Sequence, residues 1–186
     1  MALAWILSIS AGLGYLQKYA NAPASQGSPS EHWPADTHFG LDSKIPTLLL
    51  FAHPRCPCTR ATIGELALLM ARCQRKIHGK VVFFEPEDQA DAWAKTDLWR
   101  SAEAIPGVKA CIDKGGAEAR RFQIKSSGHA LLFDPNGNLI FSGGITGSRG
   151  HSGDNPGRSA IVARVAGEHS PLEKTPVFGC SLLDRD

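Results

Sequence analysis

Residues 47–66 read TLLLFAHPRCPCTRATIGEL, and this stretch decides the fold. Thr47–Ala52 is a short, continuous apolar run, the pattern of a strand buried on both faces. From Thr59 onward Ile63, Leu66, Leu69, Met70 and Cys73 recur at helical spacing. A helix is therefore expected over Thr59–Ile77, with His78-Gly79 as its stop. Cys56 and Cys58 sit between the strand and the helix. A helix N-terminus carries partial positive charge and free N–H groups, which favour a thiolate and lower its pKa. Arg55 and Arg60 add positive charge nearby. The thiolate is the nucleophile in thiol exchange, so the location suits a reactive cysteine.

Working outward, the same alternation continues. KVVFFEPE (80–87) is a second strand, and QADAWAKTDLWRSAEAI (89–105) a helix carrying Trp93 and Trp99, ended by Pro106-Gly107. VKACID (108–113) is a short strand and GGAEARRFQI (115–124) a short helix. HALLFDPNGNLIFSGGI (129–145) has two apolar runs about a Pro-Asn-Gly turn and reads as a hairpin. NPGRSAIVARVAG (155–167) is a last helix, with a polar tail after it. The order β-α-β-α-β-α-β-β-α predicts an α/β domain: one mixed sheet with helices on both faces. A flavodoxin-like sheet is the rival, but no Gly-rich phosphate loop follows the first strand.

The chain has 186 residues, 42% hydrophobic and 20% charged, enough to bury a normal core. A formal net charge of +2 argues neither for nor against nucleic acid, but no long Lys/Arg run marks a basic patch, so no nucleic-acid partner is expected. Residues 1–20 carry an apolar run over Ala2–Leu16, read as a membrane anchor or signal segment. Residues 21–40 are rich in Pro, Ser, Ala and Gly and read as a linker. Residues 41–167 form the domain and 168–186 the tail. An anchor or signal places the domain outside the cytoplasm, where disulfides persist. Of the five cysteines, Cys73 and Cys111 have spacings that suit burial. Cys58 is the expected resolving partner of Cys56; Cys180, in the tail segment TPVFGCSL, is read as an uninvolved tail thiol, with a fold-back that resolves Cys56 as the alternative.

These residues resemble the thioredoxin-like superfamily, and most of all the TlpA/ResA-like membrane-anchored thiol–disulfide oxidoreductases. In that family a strand leads to Trp-Cys-x-x-Cys and then to a helix with a Pro-Glu-Leu segment. Glu65-Leu66 match the segment, with Gly64 where the proline would stand. In that register Cys56 takes the nucleophile position, Cys58 an intervening one, and Thr59 that of the second cysteine. Phe122-Gln123-Ile124 and Phe133-Asp134-Pro135-Asn136-Gly137 match the family's later run. Its cis-proline, which shapes the substrate groove, aligns with Gly128. The set HPRCPCTRA, SGH, SGGITGSRGHSGDN and TPVFGC is similar to the small thioredoxin-like group called RedB. The resemblance implies exchange with protein thiols or disulfides by a domain in the periplasm or otherwise outside the cytoplasm, held to the membrane through its N-terminal helix.

The expected site is therefore Cys56 and Cys58 with Arg55, Thr59 and Gly128, as a thiol–disulfide oxidoreductase without a cofactor. Proline between two cysteines strains a bond joining them and makes it more oxidising. The alternative uses the same cysteines with His53, His129 or His151 to hold copper or zinc, as a Sco-like copper chaperone or another metal-binding protein. A third reading leaves two structural thiols in a helix-start loop. The segment 142–158, SGGITGSRGHSGDNPGR, is either a plain connection capped by Asp154 or Asn155, or a loop that brings Arg149 or His151 over the thiols.

Overall fold

The computed structural model describes residues 2–89, 92–168 and 170–183. After an N-terminal helix α1 (Ala2–Ala20), the elements follow as β1 (Thr47–Ala52), α2 (Pro57–Cys73), β2 (His78–Glu85), α3 (Asp97–Glu103), β3 (Val108–Lys114), α4 (Ala117–Arg121), β4 (His129–Phe133), β5 (Leu139–Gly144) and α5 (Pro156–Ala166). They build one sheet in the order β3-β2-β1-β4-β5. β1–β2 and β2–β3 are parallel, whereas β1–β4 and β4–β5 are antiparallel. This is the mixed sheet that the sequence order predicts.

Strand alternation sorts the core into two layers. Leu48, Leu50 and Ala52 of β1 join Val81 and Phe83 of β2 and Ala130 and Leu132 of β4 in one layer, against Leu66 and Leu69 of α2, Trp99 of α3 and Ile161 of α5. Leu49, Phe51, Val82, Leu131 and Phe133 face the other way, against Ala119 of α4, Phe122 and Leu182. β1 is buried along its whole length. The central strand therefore delivers the cysteine loop from a fixed base.

Several boundaries differ from the sequence expectation. α2 stops at Cys73, not Ile77, because Gln74 and Arg75 turn left-handed with φ of 48° and 64°. That turn lets β2 start at His78, in register with Thr47. The helix expected over 89–105 is reduced to Asp97–Glu103; residues 90 and 91 lie outside the described residues. Trp93 stands before this helix, because the buried Glu85 carboxylate accepts the Ala94 N–H at 3.2 Å and holds that segment in a turn. Cys73 is buried as expected, but Cys111 is only half-buried on the edge strand β3.

Residues 21–40 run along the domain. Ala24 N–H donates to Val177 O at 2.8 Å, Gly27 bridges Ile124, and Trp33 packs edge-on against Phe122 and Phe133 with ring centroids 5.4 and 5.0 Å away. α1 buries none of its residues. Its apolar face is interrupted by glycine and serine and gives way to Gln17 and Lys18. The expectation of a spanning anchor is corrected here: no helix among the described residues is long and apolar enough to cross a membrane.

Leu50, 1% exposed at the centre of the sheet, reports on the core. Leu50→Ala is expected to cost about 2–5 kcal/mol, read as a lower urea midpoint with an unchanged slope.

Candidate active site

β1 ends at Ala52, and Cys56 becomes the N-cap of α2 with φ −76° and ψ 122°. Pro57 occupies the first helical position, where its fixed φ fits and its missing N–H is no loss. No side chain caps this helix start; the Thr59 N–H donates to Cys56 O at 3.0 Å, and the Cys58 backbone N–H donates to the Cys56 sulfur. Cys56 itself is 3% exposed. Below it, the Thr59 hydroxyl donates to His53 O at 3.1 Å and lies 3.0 Å from the Ser127 hydroxyl. The Ser127 hydroxyl in turn accepts the His53 N–H at 2.9 Å. This links the start of α2 to the segment that enters β4.

The C-terminal tail closes over this point. Ser127 N–H donates to Cys180 O and Leu182 N–H to Lys125 O, both at 2.9 Å, with an antiparallel bridge between Ser126 and Ser181. Val177 and Leu182 are fully buried. This short ladder places Cys180 Sγ 2.7 Å from Cys56 Sγ. All five cysteines are free thiols.

The three thiols of the site titrate apart. Burial opposes the Cys56 thiolate, but hydrogen bonds from the Cys180 thiol, from backbone at Cys180 and Cys58, and from the Thr59 hydroxyl outweigh it. The Cys56 thiol lies below its ordinary value. Burial, and then the negative charge of Cys56, push Cys58 up; Arg149 and the Gly150 backbone oppose this. Burial, and then the hydrogen bond to Cys56 and its charge, push Cys180 further up. Of the three, Cys56 therefore gives up its proton most readily.

A second loop completes the site. Residues 145–155 run over the cysteines, and Arg149 donates to Gly179 O and stacks on Tyr19 with its guanidinium 5.1 Å from the ring centroid. The loop is held from beneath by a buried carboxylate. Glu65 of α2 accepts the Gly153 N–H at 2.8 Å and the Asn155 amide at 3.1 Å, and pairs with Arg158. Asn155 also caps α5 by accepting the Arg158 N–H at 2.8 Å. The two readings of this segment are compatible: it ends in a cap and it lies over the thiols.

Of the residues expected at the site, Cys56, Cys58, Thr59 and Cys180 converge, with Arg149 beside them. Gly128 lies alongside, with φ +86°, and its N–H donates to Phe51 O at 2.8 Å. A Cβ added there would contact Thr62 Oγ1 at 3.5 Å and Phe178 O at 3.7 Å, so the position faces both α2 and the tail. Arg55 turns away, its guanidinium 4.4 Å from the centroid of the Trp93 ring, and Arg60 pairs with Asp97 at 2.6 Å. The histidines are engaged elsewhere. His53 stacks on Phe84 and meets Trp93 edge-on. His129 is buried with Nε2 2.8 Å from Ser142 Oγ, and burial pushes its imidazole down to about 4. His151 is exposed. Among the described residues no group of three or more His, Cys, Asp or Glu is arranged to hold a metal ion. Cys56, Cys58 and Cys180 gather without any of the histidines that the copper or zinc reading pairs with them. Ser127 and the pair Glu65–Arg158 went unrecognised as site residues. Their roles arise from partners 68 and 93 residues distant, which no local spacing signals.

Comparison with solved structures agrees with this arrangement at the level of fold. An uncharacterised conserved protein from Geobacillus kaustophilus matches with a TM-score of 0.62 at 16% identity, over 89% of this chain and 93% of its own. A hypothetical protein from Sinorhizobium meliloti 1021 matches at 0.58 and 18% identity, over 88% and 97%. A SCO1/SenC family lipoprotein from Bacillus anthracis matches at 0.52 and 10% identity, over 76% and 99%. The fold is thioredoxin-like. No protein-family model and no curated protein matches the sequence.

Two measurements probe this construction. Glu65→Ala leaves the buried Arg158 with only the exposed Asp154 as an ion partner and is expected to cost about 3–5 kcal/mol, seen as a lower denaturation midpoint. Thr59→Val removes a hydrogen bond that favours the Cys56 thiolate. The midpoint of its alkylation rate against pH is expected to move upward, towards that of an ordinary thiol.

Proposed function

We propose that this chain is an extracytoplasmic thiol–disulfide oxidoreductase of the TlpA/ResA-like and RedB kind, exchanging disulfides with protein partners. Cys56 is its nucleophile and Cys180 its resolving thiol. One observation carries the reading: a helix-capping cysteine with a lowered pKa meets a second thiol, brought from the far end of the chain, at 2.7 Å. Cys58, the nearer thiol in sequence, is a third member of the cluster rather than the first resolving partner. The lipoprotein among the structural neighbours is in keeping with an extracytoplasmic setting, with residues 1–20 as a signal segment.

In the reductive direction the Cys56 thiolate attacks one sulfur of a partner disulfide. A Cys56–partner bond forms and the partner's other sulfur leaves as a thiolate. Cys56 then no longer carries charge, so one cause of the raised Cys180 pKa disappears and Arg149 favours its thiolate. Cys180 loses its proton to solvent and attacks the Cys56 sulfur. The partner is released as a dithiol, reduced by two electrons, and the chain holds a Cys56–Cys180 disulfide. The reverse sequence oxidises a partner dithiol.

Cys56→Ser is expected to abolish exchange with a model disulfide. Cys180→Ser should accumulate the mixed disulfide on Cys56, visible by mass, while Cys58→Ser still completes the cycle. Full activity in Cys56→Ser would overturn the reading.

A further inference from the structure

The tail does more than deliver a thiol. It approaches Cys56 as an added strand, using the backbone of Lys125–Ser127 as a docking edge. Cys56 is 3% exposed with the tail in place, so a partner cysteine has to reach the same sulfur past Cys180. The tail's own register therefore describes what the edge accepts. Val177 and Leu182 fill buried positions on either side of Cys180. Gly179 is required sterically: a Cβ there would stand 1.9 Å from Ser127 O, a backbone atom that cannot yield cheaply. The tail is tethered upstream, where Thr175 N–H donates to Ser142 O at 3.2 Å and its hydroxyl to Gly144 O at 2.8 Å. A cavity of about 500 Å³, bordered by Tyr19, Lys125, Arg149, Cys180 and Leu183, opens beside it.

We propose that Val177–Leu182 is a tethered pseudosubstrate: it fills a groove built for an extended polypeptide of pattern apolar-x-Gly-Cys-x-apolar, lifts before such a partner reaches Cys56, and redocks, displacing the partner from the groove, before Cys180 attacks the mixed disulfide. This rests on the reading of Cys56 as the exchanging thiol. Backbone pairing supplies the docking, and the side-chain positions supply the selection. The closed tail keeps Cys56 from indiscriminate disulfides.

The test uses the full chain and the peptides VFGCSL and VFACSL, each blocked at both ends and carried as a mixed disulfide with thionitrobenzoate. Cys56 attacks the peptide sulfur, forms a Cys56–peptide disulfide and releases coloured thionitrobenzoate in a first burst. In Cys180→Ser the tail stays docked. Adding Gly179→Ala lifts it and is expected to speed the burst by on the order of tenfold or more. In that lifted variant the glycine peptide should outpace the alanine peptide by about tenfold, as one methyl group against a rigid wall allows. Equal rates in the docked and lifted variants, or equal rates for the two peptides, overturn the proposal. If circular dichroism finds the lifted variant unfolded, Cys180→Ser alone decides. Its burst rate should saturate at a ceiling shared by both peptides, because tail opening is then limiting; a linear rise without a ceiling overturns the proposal. A burst that persists in Cys56→Ser instead refutes the role of Cys56, whatever the tail does.

Discussion

The site depends on one contact, between sulfur atoms 124 residues apart in sequence. Neither partner is reactive by burial alone, since desolvation disfavours the thiolate at both. What separates them is hydrogen bonding. Cys56 stands at the start of α2 and receives donors from the helix, from Thr59 and from the tail, whereas Cys180 supplies a donor and receives little in return. The two thiols are therefore unequal: Cys56 loses its proton more readily than Cys180.

That contact is held by two independent clamps. From one side the tail ladder fixes Cys180 through backbone groups, with Val177 and Leu182 buried as pegs. From the other, Glu65 on α2 grips the loop over the thiols through Gly153, Asn155 and Arg158. A buried carboxylate is tolerated only when its oxygens are satisfied, and here the groups that satisfy it belong to the loop carrying Arg149. Arg149 then binds Gly179 O in the tail, so the two clamps meet. Its contact with Tyr19, and its N–H to Ala20 O at 2.9 Å, tie the end of α1 to the same point.

Much of the fold was legible because it rests on short-range periodicity. The strand-helix order from Thr47 to Ala166, the hairpin about Pro135-Asn136-Gly137 and the start of α5 at Pro156 follow from apolar spacing and turn chemistry. Boundaries were less legible where a distant group intervened. Trp93 has helical neighbours in sequence, but Glu85 takes the Ala94 amide and keeps it out of α3. The end of α2 is set by left-handed Gln74 and Arg75, neither of which is a usual stop residue. The apolar run over Ala2–Leu16 read as a membrane anchor or signal segment, yet the helix Ala2–Ala20, which carries Gln17 and Lys18 near its end, is not long and apolar enough to cross a membrane.

By itself the sequence determined the thioredoxin-like sheet and the place of Cys56 at a helix start, because strand and helix periods and the strand-to-helix junction are local properties. It could not decide which thiol closes onto Cys56. Cys58 is two residues away and Cys180 is in a tail with no regular element of its own, so proximity along the chain favoured Cys58. Only the tertiary structure weighed the alternatives. The antiparallel pairing of Lys125–Ser127 with Cys180–Leu182 carries Cys180 in from outside. The same packing buries His129 against Ser142 and turns His53 onto Phe84, so two of the three imidazoles named for a metal are packed into the core. Long-range backbone pairing has no signature in residue spacing, and for that reason the thiol nearest to Cys56 is set by the other end of the chain.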